Sequence, residues 1–168
     1  MKIILGIDPG LGGALAFLDP GNEVDIDLVD MPILRLARGR KARRELDLST
    51  LARLIDDRAA GIAHAFVELA GARPGQGVAS MFNYGRTYGA TLGILAANFI
   101  PTTTVAPTRW KRSLGVPAAK DGARARAGEL LPRAACRWPL VGHAGRAEAA
   151  LIALYGAREL GRVAGSAP

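Results

Sequence analysis

Three acidic residues stand in apolar surroundings from which charged groups are normally excluded. Asp8 closes the apolar run 2–8, Glu68 lies in the apolar stretch FVELA, and Glu148 lies in the first turns of the last predicted helix. A carboxylate buried among apolar side chains is costly without a partner or a metal. Carboxylates held close together repel one another, so such a group persists only if a cation joins them or a proton is shared. The three residues together therefore predict a metal site.

Magnesium is the ion that such oxygen donors favour, because Mg²⁺ prefers carboxylate ligands and keeps several waters. Two ions about 4 Å apart can activate a water and stabilise the leaving oxygen of a phosphodiester. We expect two Mg²⁺ ions per site, with Mn²⁺ as a possible substitute. Taken singly, Asp8 in Asp-Pro-Gly is also compatible with a simple turn, and Glu148 with an exposed helix surface. Glu68 is the strongest of the three signals.

Five apolar segments predict the strands that would position these acids. Residues 2–8, 13–18 and 23–30 are separated by short turns rich in Pro, Gly and Asn, which indicates an antiparallel meander. Residues 64–69 follow a predicted helix, so this strand and the strand 102–106 should be parallel additions to the sheet. If the first and fourth strands are neighbours, Asp8 and Glu68 lie side by side at one sheet edge.

The remaining segments favour helices. Asp47 or Ser49 can cap a helix running to about residue 60, and further helices or helical turns are predicted over 78–98, 107–114, 119–131 and 145–160. The resulting class is α/β, with a mixed five-stranded sheet (a three-stranded antiparallel meander plus two parallel strands) flanked by helices. Residues 1–160 would form a single domain and 161–168 a flexible C-terminal tail.

The charge of the chain predicts a polyanionic partner. Among 168 residues, 22 are Lys or Arg and 15 are Asp or Glu, which gives a net charge of +7. Nucleic acid is the leading partner and an anionic membrane surface the second. A segment without any acid and without apolar periodicity carries six of the cations and is predicted to be an exposed loop or arm: Arg35, Arg38, Arg40, Lys41, Arg43 and Arg44.

A second basic segment surrounds Trp110. Arg109, Lys111 and Arg112 flank this aromatic residue, and Lys120 and Arg124 follow shortly after. Such a patch suits phosphate contacts that position nucleic acid without reading its sequence. Trp110 itself is equally compatible with a core position.

Two observations bear on the location of the protein. Its single cysteine, Cys136, excludes a disulfide framework within the chain. The apolar start is too short for a signal peptide, and the longest apolar stretch, around residues 89–101, is too short to span a bilayer. We expect a cytoplasmic protein that does not insert into a membrane.

Five motifs in order resemble the RuvC-type Holliday junction resolvases, a family of RNase H-like nucleases. They are GIDPGLGGALAFLD, FVELAGARPGQGVASMFNYGRTYG, VAPTRWKRSLGV, KDGARARA and GRAEAALIALYG. The resemblance covers most of the chain, from residue 2 to about 156. It implies an RNase H-like fold and a Mg²⁺-dependent endonuclease that resolves four-way DNA junctions by paired nicks.

The resemblance also implies roles for particular residues. Asp8, Glu68 and Glu148 match three metal-site positions of the family, and Lys120 matches a basic residue near the scissile phosphate. In the family, a fourth acid lies one helical turn before the position that Glu148 matches. This chain has Ala144 there, preceded by His143. Either His143 serves as a metal ligand or proton shuttle, or Ala144 marks a lost carboxylate.

A homodimer that nicks opposed strands is the assembly that the resemblance implies. Gly85, Gly89 and Gly93 recur every four positions on the predicted helix 78–98, where they form either a dimer seam or a contact with the protomer's own sheet. The loop 70–77 with Arg73 and the basic arm 35–44 would probe the branch point. The expected DNA-binding residues are Arg38, Arg40, Lys41, Arg43, Arg44, Arg73, Arg109, Lys111, Arg112, Lys120 and Arg124.

Three other functions compete with this one. A catalytically weakened junction-binding protein would follow from the missing acid near residue 144. An RNase H-like nuclease could instead act on other branched DNA or on RNA–DNA hybrids. An actin-like ATPase or sugar kinase also begins with a strand, an Asp and a Gly-rich turn, but 168 residues cannot hold its second lobe.

Overall fold

The computed structural model describes residues 2–21, 26–38, 41–69, 71, 75 and 77–164. The strands are β1 (Ile3–Ile7), β2 (Ala14–Leu18), β3 (Ile26–Asp30), β4 (Ile33–Arg38), β5 (Lys41–Leu46), β6 (Ile62–Glu68) and β7 (Thr102–Val105). The helices are α1 (Leu48–Asp56), α2 (Val78–Ala97), α3 (Pro107–Leu114), α4 (Gly122–Leu130) and α5 (Ala144–Ala164). Short 3₁₀ turns lie at Ala59–Gly61, Pro132–Arg137 and Val141–His143.

Five strands form one mixed sheet in the order β3-β2-β1-β6-β7. β2 pairs antiparallel with both β1 and β3, whereas β6 is parallel to β1 and to β7. The predicted meander with two parallel strands is therefore confirmed. Ile7 is opposite Val67 across the β1–β6 pair, so Asp8 and Glu68 come next at the same end of the sheet.

Helices cover both faces of this sheet, and each face has its own core. Ile4, Ala16 and Phe66 pack with α5 and the α3–α4 region on one face, while Leu5 and Ile7 pack with α1 and α2 on the other. The alternation of strand side chains directs successive residues to opposite cores. Within the part of the chain that the structure describes, no helix has both the length and the hydropathy needed to cross a membrane.

Glycine brings α5 directly onto the central strand. A Cβ at Gly6 would lie 2.3 Å from the carbonyl oxygen of Ala149 and 2.4 Å from the nitrogen of Ala153. Any side chain at this position would push the helix away from the sheet. The contact fixes the part of α5 that carries Glu148.

The segment 35–44 was predicted to be an exposed loop or arm. The absence of strand structure is wrong, because residues 35–38 and 41–44 lie in the two paired strands of a hairpin, whereas Arg35 and Arg44 are exposed as expected. β4 and β5 pair antiparallel as a separate two-stranded sheet, with Arg35 opposite Arg44 and Leu36 opposite Arg43. Leu46, at the end of β5, packs into the core that contains Leu5 and Ile7, but the basic part of the hairpin lies outside both cores and therefore shows no apolar period. Leu34 and Leu36 are correspondingly exposed.

Several helix boundaries also differ from the sequence prediction. Asp47 caps α1 and accepts a hydrogen bond from the Thr50 N–H, as one of the two predicted caps, but the helix ends at Asp56 instead of near residue 60. α4 begins at Gly122 instead of 119. α5 continues through Gly161 to Ala164, beyond the predicted helix end at 160. A glycine in an exposed helix costs only about 0.5–1 kcal/mol, which long helices tolerate.

Candidate active site

Asp8 follows β1 in a tight loop that closes over its carboxylate. The Asp8 N–H donates to the Ala14 carbonyl at 3.1 Å, and the Gly10 N–H donates to Asp8 Oδ1 at 3.1 Å. A Cβ at Gly13 would lie 2.7 Å from the Asp8 carboxyl carbon and 2.1 Å from the Asp8 carbonyl oxygen. Only glycine allows the chain to turn back this closely, so the loop fixes the position of Asp8.

Glu68 ends β6 and is almost fully buried. Its residue exposure is 6%, and the next N–H, of Leu69, donates to the Val105 carbonyl of β7 at 2.8 Å. Trp110 Nε1 donates to Glu68 Oε2 at 2.9 Å. Trp110 has no exposed surface, so its core interpretation is confirmed. The indole therefore holds the carboxylate in place from within the core.

Glu148 reaches the same end of the sheet from the second turn of α5. The first turn of this helix lies on the Asp8 loop, since a Cβ at Gly145 would be 2.3 Å from the Gly12 carbonyl oxygen. Glu148 Oε1 accepts a hydrogen bond from Lys111 Nζ at 2.8 Å, and the same ammonium lies 5.0 Å from the Trp110 ring centroid. α5 and α3 thus meet through an acid and a base. We call Asp8, Glu68 and Glu148 the carboxylate cluster.

The pKa values of Asp8 and Glu68 are raised by burial and, to a smaller extent, by neighbouring carboxylates. Burial raises the pKa of Asp8 to about 6, and the charge of Glu148 adds to the rise, while the Gly10 N–H and Lys111 oppose it. Burial raises the pKa of Glu68 to about 7, with further contributions from the charges of Glu148 and Asp8. The hydrogen bond from Trp110 and the charge of Lys111 again act in the opposite direction. The three carboxyl groups therefore share one electrostatic site.

The donor chemistry of the cluster fits a hard divalent cation such as Mg²⁺. All three side chains supply carboxylate oxygens, and burial together with mutual repulsion raises the pKa values of Asp8 and Glu68, which a bound cation would lower. The ligand geometry itself is not formed. Among the residues described, no three His, Cys, Asp or Glu side chains are arranged closely enough to hold a metal ion. Side-chain rotation would have to bring the oxygens together on binding.

The region before Glu148 contains no fourth acid. Position 144 is Ala, and the close approach at Gly145 leaves no space for a side chain there. His143 lies in a 3₁₀ turn, where its Nδ1 accepts from the Leu140 N–H at 3.4 Å. Its charge acts on Asp30, whose pKa is lowered chiefly by a hydrogen bond from Arg146. The role of His143 as a ligand stays a prediction.

Of the two lysines with a role predicted from the sequence, Lys111 differs from the expectation. Lys120 is exposed in the turn before α4, and its role near a scissile phosphate stays a prediction. Lys111, expected on the DNA surface, is the ammonium that acts on Asp8 and Glu68 and binds Glu148. This internal role, and the hydrogen bond from Trp110, were missed. The available signal was the position of Trp-Lys on a helix that directly follows a strand ending near Glu68.

The other expected DNA-binding residues are distributed over two surfaces. Arg109 pairs with Glu159 at 3.4 Å, and Arg124 binds Asp121 and the Pro139 carbonyl, the latter at 2.9 Å. Arg112 is exposed on α3.

On the hairpin, Arg43 pairs with Glu45 at 3.1 Å and donates to Asn83 at 3.2 Å, whereas Arg44 is exposed. For Arg38 and Lys41 only the backbone is described, and Arg40 and Arg73 lie outside the described residues.

The fold is similar to solved structures of a junction resolvase. A structure described as T. thermophilus RuvC in complex with Holliday junction substrate has a TM-score of 0.64 at 15% identity, and the match covers 96% of each chain. A second Thermus thermophilus RuvC structure has a TM-score of 0.54 at 17% identity, with 94% of this chain and 96% of that chain covered. No family model matches the sequence, and no curated protein matches it significantly. The RNase H-like fold that the sequence resemblance implied is thereby confirmed.

Proposed function

We propose that this chain is a divalent-metal-dependent endonuclease that resolves four-way DNA junctions by paired nicks. The observation that carries the proposal is the convergence of Asp8, Glu68 and Glu148, from three different elements, into one shared electrostatic site. The net charge of +7 supports a nucleic-acid substrate. A similar fold in a RuvC structure that contains a Holliday junction supports the choice of junction DNA.

In this proposal the carboxylate cluster holds Mg²⁺, or Mn²⁺ in its place. The bound ions would supply an activated water and charge stabilisation at the phosphodiester. The chain's own residues do the positioning. Trp110 fixes one oxygen of Glu68, the Gly10 N–H fixes one oxygen of Asp8, and Lys111 balances part of the negative charge on Glu148.

Paired nicks on opposed strands require two sites, and α2 offers a surface for a second copy of the chain. A Cβ at Gly85, Gly89 or Gly93 would meet nothing within 4 Å among the described residues, so these glycines do not pack on the protomer's own sheet. Val78 and Phe82, on the same side of the helix by their spacing, are exposed. We infer a homodimer through this face. Gly89→Leu should shift sedimentation from dimer to monomer, whereas monomeric wild-type protein would contradict the inference.

The experiment that tests the function is cleavage of a labelled synthetic four-way junction beside a linear duplex of the same sequence. Paired nicks on the junction with Mg²⁺, absent from the duplex and lost in EDTA, are expected. Cleavage of flaps, forks or RNA–DNA hybrids in preference to the junction would assign a different substrate to the same site. Cleavage that persists in EDTA would contradict the metal-dependent proposal.

The second candidate function is a junction-binding protein with weakened cleavage. It is favoured by one observation, namely that positions 144 and 145 carry no acid and Gly145 has no space for one. Tight junction binding with no nicking in Mg²⁺ or Mn²⁺ would support this candidate. Recovery of nicking by Ala144→Asp would then show that the missing carboxylate is the cause.

A further inference from the structure

A cavity of about 300 Å³ adjoins the carboxylate cluster, yet none of the cluster side chains lines it. Its walls come from three elements: the loop after Asp8, the hairpin strand β5 and the first half of α2. The lining residues are Leu11, Gly12, Arg44, Ser80, Asn83 and Tyr84. Its volume is at the lower end of the range for small-molecule sites, which is roughly 300–1,000 Å³. The cavity is therefore suited to a ligand of about one nucleotide.

Tyr84 connects this cavity with the candidate active site. A Cβ at Gly10 would lie 3.9 Å from Tyr84 Cε2 and 3.4 Å from Asp8 Oδ1. A single glycine thus separates the aromatic ring from the carboxylate. A substrate whose phosphodiester lies at Asp8 would have a neighbouring nucleotide within reach of Tyr84.

The remaining lining groups suit the other parts of a nucleotide. Arg44 brings a cation that can pair with a phosphate. Asn83 accepts from Arg43 through its carbonyl oxygen, which leaves its NH₂ group to donate to a base edge. Leu11 adds apolar surface at the loop. Arg86 pairs with Glu45 at 3.1 Å, and this contact together with that of Arg43 docks the hairpin against α2.

We propose that this cavity receives one unpaired nucleotide of the branched DNA, with its base against Tyr84 and its phosphate beside Arg44. The inference rests on the proposed function and specifies how that site would recognise a branch. A base pair at a branch point lacks the continuous stacking of a duplex on one side, so opening it and turning one nucleotide out costs less there than within a duplex. Stacking on an aromatic ring then repays the unstacking without reading the identity of the base. A continuous duplex offers no such nucleotide, so the cavity would favour branched over linear DNA.

The test is a double-mutant cycle that combines a change in the protein with a change in the DNA. Junction affinity is measured by fluorescence anisotropy in EDTA so that no strand is cut. A series of four-way junctions carries one abasic site at each nucleotide flanking the branch point in turn. With wild-type protein, one abasic position should weaken binding about tenfold, the size expected for one lost stacking contact. Tyr84→Leu should weaken binding to the intact junction by the same factor, and that abasic site should then cause no further loss. Tyr84→Phe keeps the ring and should bind the intact junction as wild type does.

The controls separate failure of the cavity from failure of the function. Affinity for linear duplex should be the same for wild type and both Tyr84 variants. The cavity assignment is overturned, and the nuclease proposal stands, if wild type cuts junctions but no abasic position weakens its binding. The same conclusion follows if the loss of affinity from the abasic site and the loss from Tyr84→Leu are additive at every position. If wild type binds junction no better than duplex, the proposed function fails and the cavity assignment fails with it. The abasic series on wild type needs no variant to fold.

Discussion

The carboxylate cluster and the basic hairpin (β4 and β5) are both polar regions, but they are built in opposite ways. Each cluster residue comes from an element that the core holds, namely the ends of β1 and β6 and the sheet-packed helix α5. The hairpin pairs only with itself in the described sheets, and it contacts α2 through ionic and polar groups. The cluster is thus fixed by apolar packing. The hairpin is anchored at its end by Leu46, which packs in the core with Leu5 and Ile7, while its basic residues are held by interactions that water and salt weaken.

This difference predicts different functions for the two regions. Groups fixed by the core can be held accurately enough to act on a reacting phosphodiester, because misplacement by a fraction of an ångström impairs catalysis. Exposed cations contribute to long-range attraction of DNA, which tolerates side-chain motion and depends on ionic strength. Changes in the cluster should therefore alter the cleavage rate, and changes in the hairpin should alter affinity.

The largest expected effect is that of Asp8→Asn. The amide keeps the shape of the side chain but removes a charged metal ligand, so single-turnover cleavage of a four-way junction should fall by more than about a hundredfold. Junction affinity in EDTA should be unchanged. Asp19→Asn is the matched control, since Asp19 accepts a similar hydrogen bond from Gly21 at 3.0 Å in another turn. Cleavage by Asp8→Asn at the wild-type rate would remove Asp8 from the site.

Gly6→Ala tests whether core packing positions the cluster. The added methyl group would lie 2.3 Å from the Ala149 carbonyl oxygen and force α5 away from β1. We expect a loss of about 3 kcal/mol in the free energy of unfolding by urea, together with slower cleavage, because Glu148 moves with the helix. Gly161→Ala is the control, since its Cβ would meet no described atom within 4 Å, and it should stabilise slightly. Equal stability of the two variants would contradict the close contact.

The raised pKa of Glu68, about 7, predicts an unusual dependence of stability on pH. Between the unfolded value near 4.5 and about 7, the folded state holds more protons than the unfolded state, so stability falls as pH rises through this window. Measured in EDTA, Glu68→Gln should flatten the fall and be more stable than wild type at pH 8 by on the order of 2 kcal/mol. If the free energy of unfolding changed with pH in the same way for wild type and variant, Glu68 would ionise in its usual pH range.

The smallest expected effect concerns the hairpin. Replacing Arg35 and Arg44, which are exposed and opposite one another, by Gln should weaken junction binding about tenfold at low salt. The slope of log affinity against log salt should fall by about two, and the cleavage rate of bound junction should not change. Gln at both Arg53 and Arg133, which are exposed on α1 and in the turn after α4, removes the same charge elsewhere. Equal losses from both pairs would mean that only net charge matters.

The sequence was informative where apolar patterning decides structure. The alternation and length of the apolar segments predicted all five strands of the main sheet, and their turns predicted which neighbours are antiparallel. The juxtaposition of Asp8 and Glu68 followed from that topology, because parallel strands end at one edge. The hairpin was missed since Arg35, Arg43 and Arg44 carry no apolar period, and the polar contacts that join it to α2 come from residues distant in sequence.

What the sequence by itself determined is the set of buried elements and the acids at their ends, because burial leaves a periodic mark on the chain. What only the tertiary structure decided is which charges meet. Lys111 could have faced DNA or the interior, and the packing of α3 against α5 placed it 2.8 Å from Glu148. Likewise, Tyr84 and Arg44 line one cavity although 40 residues separate them in the chain. Polar contacts of this kind depend on the distance and direction of side chains in space, which no local pattern of residues encodes.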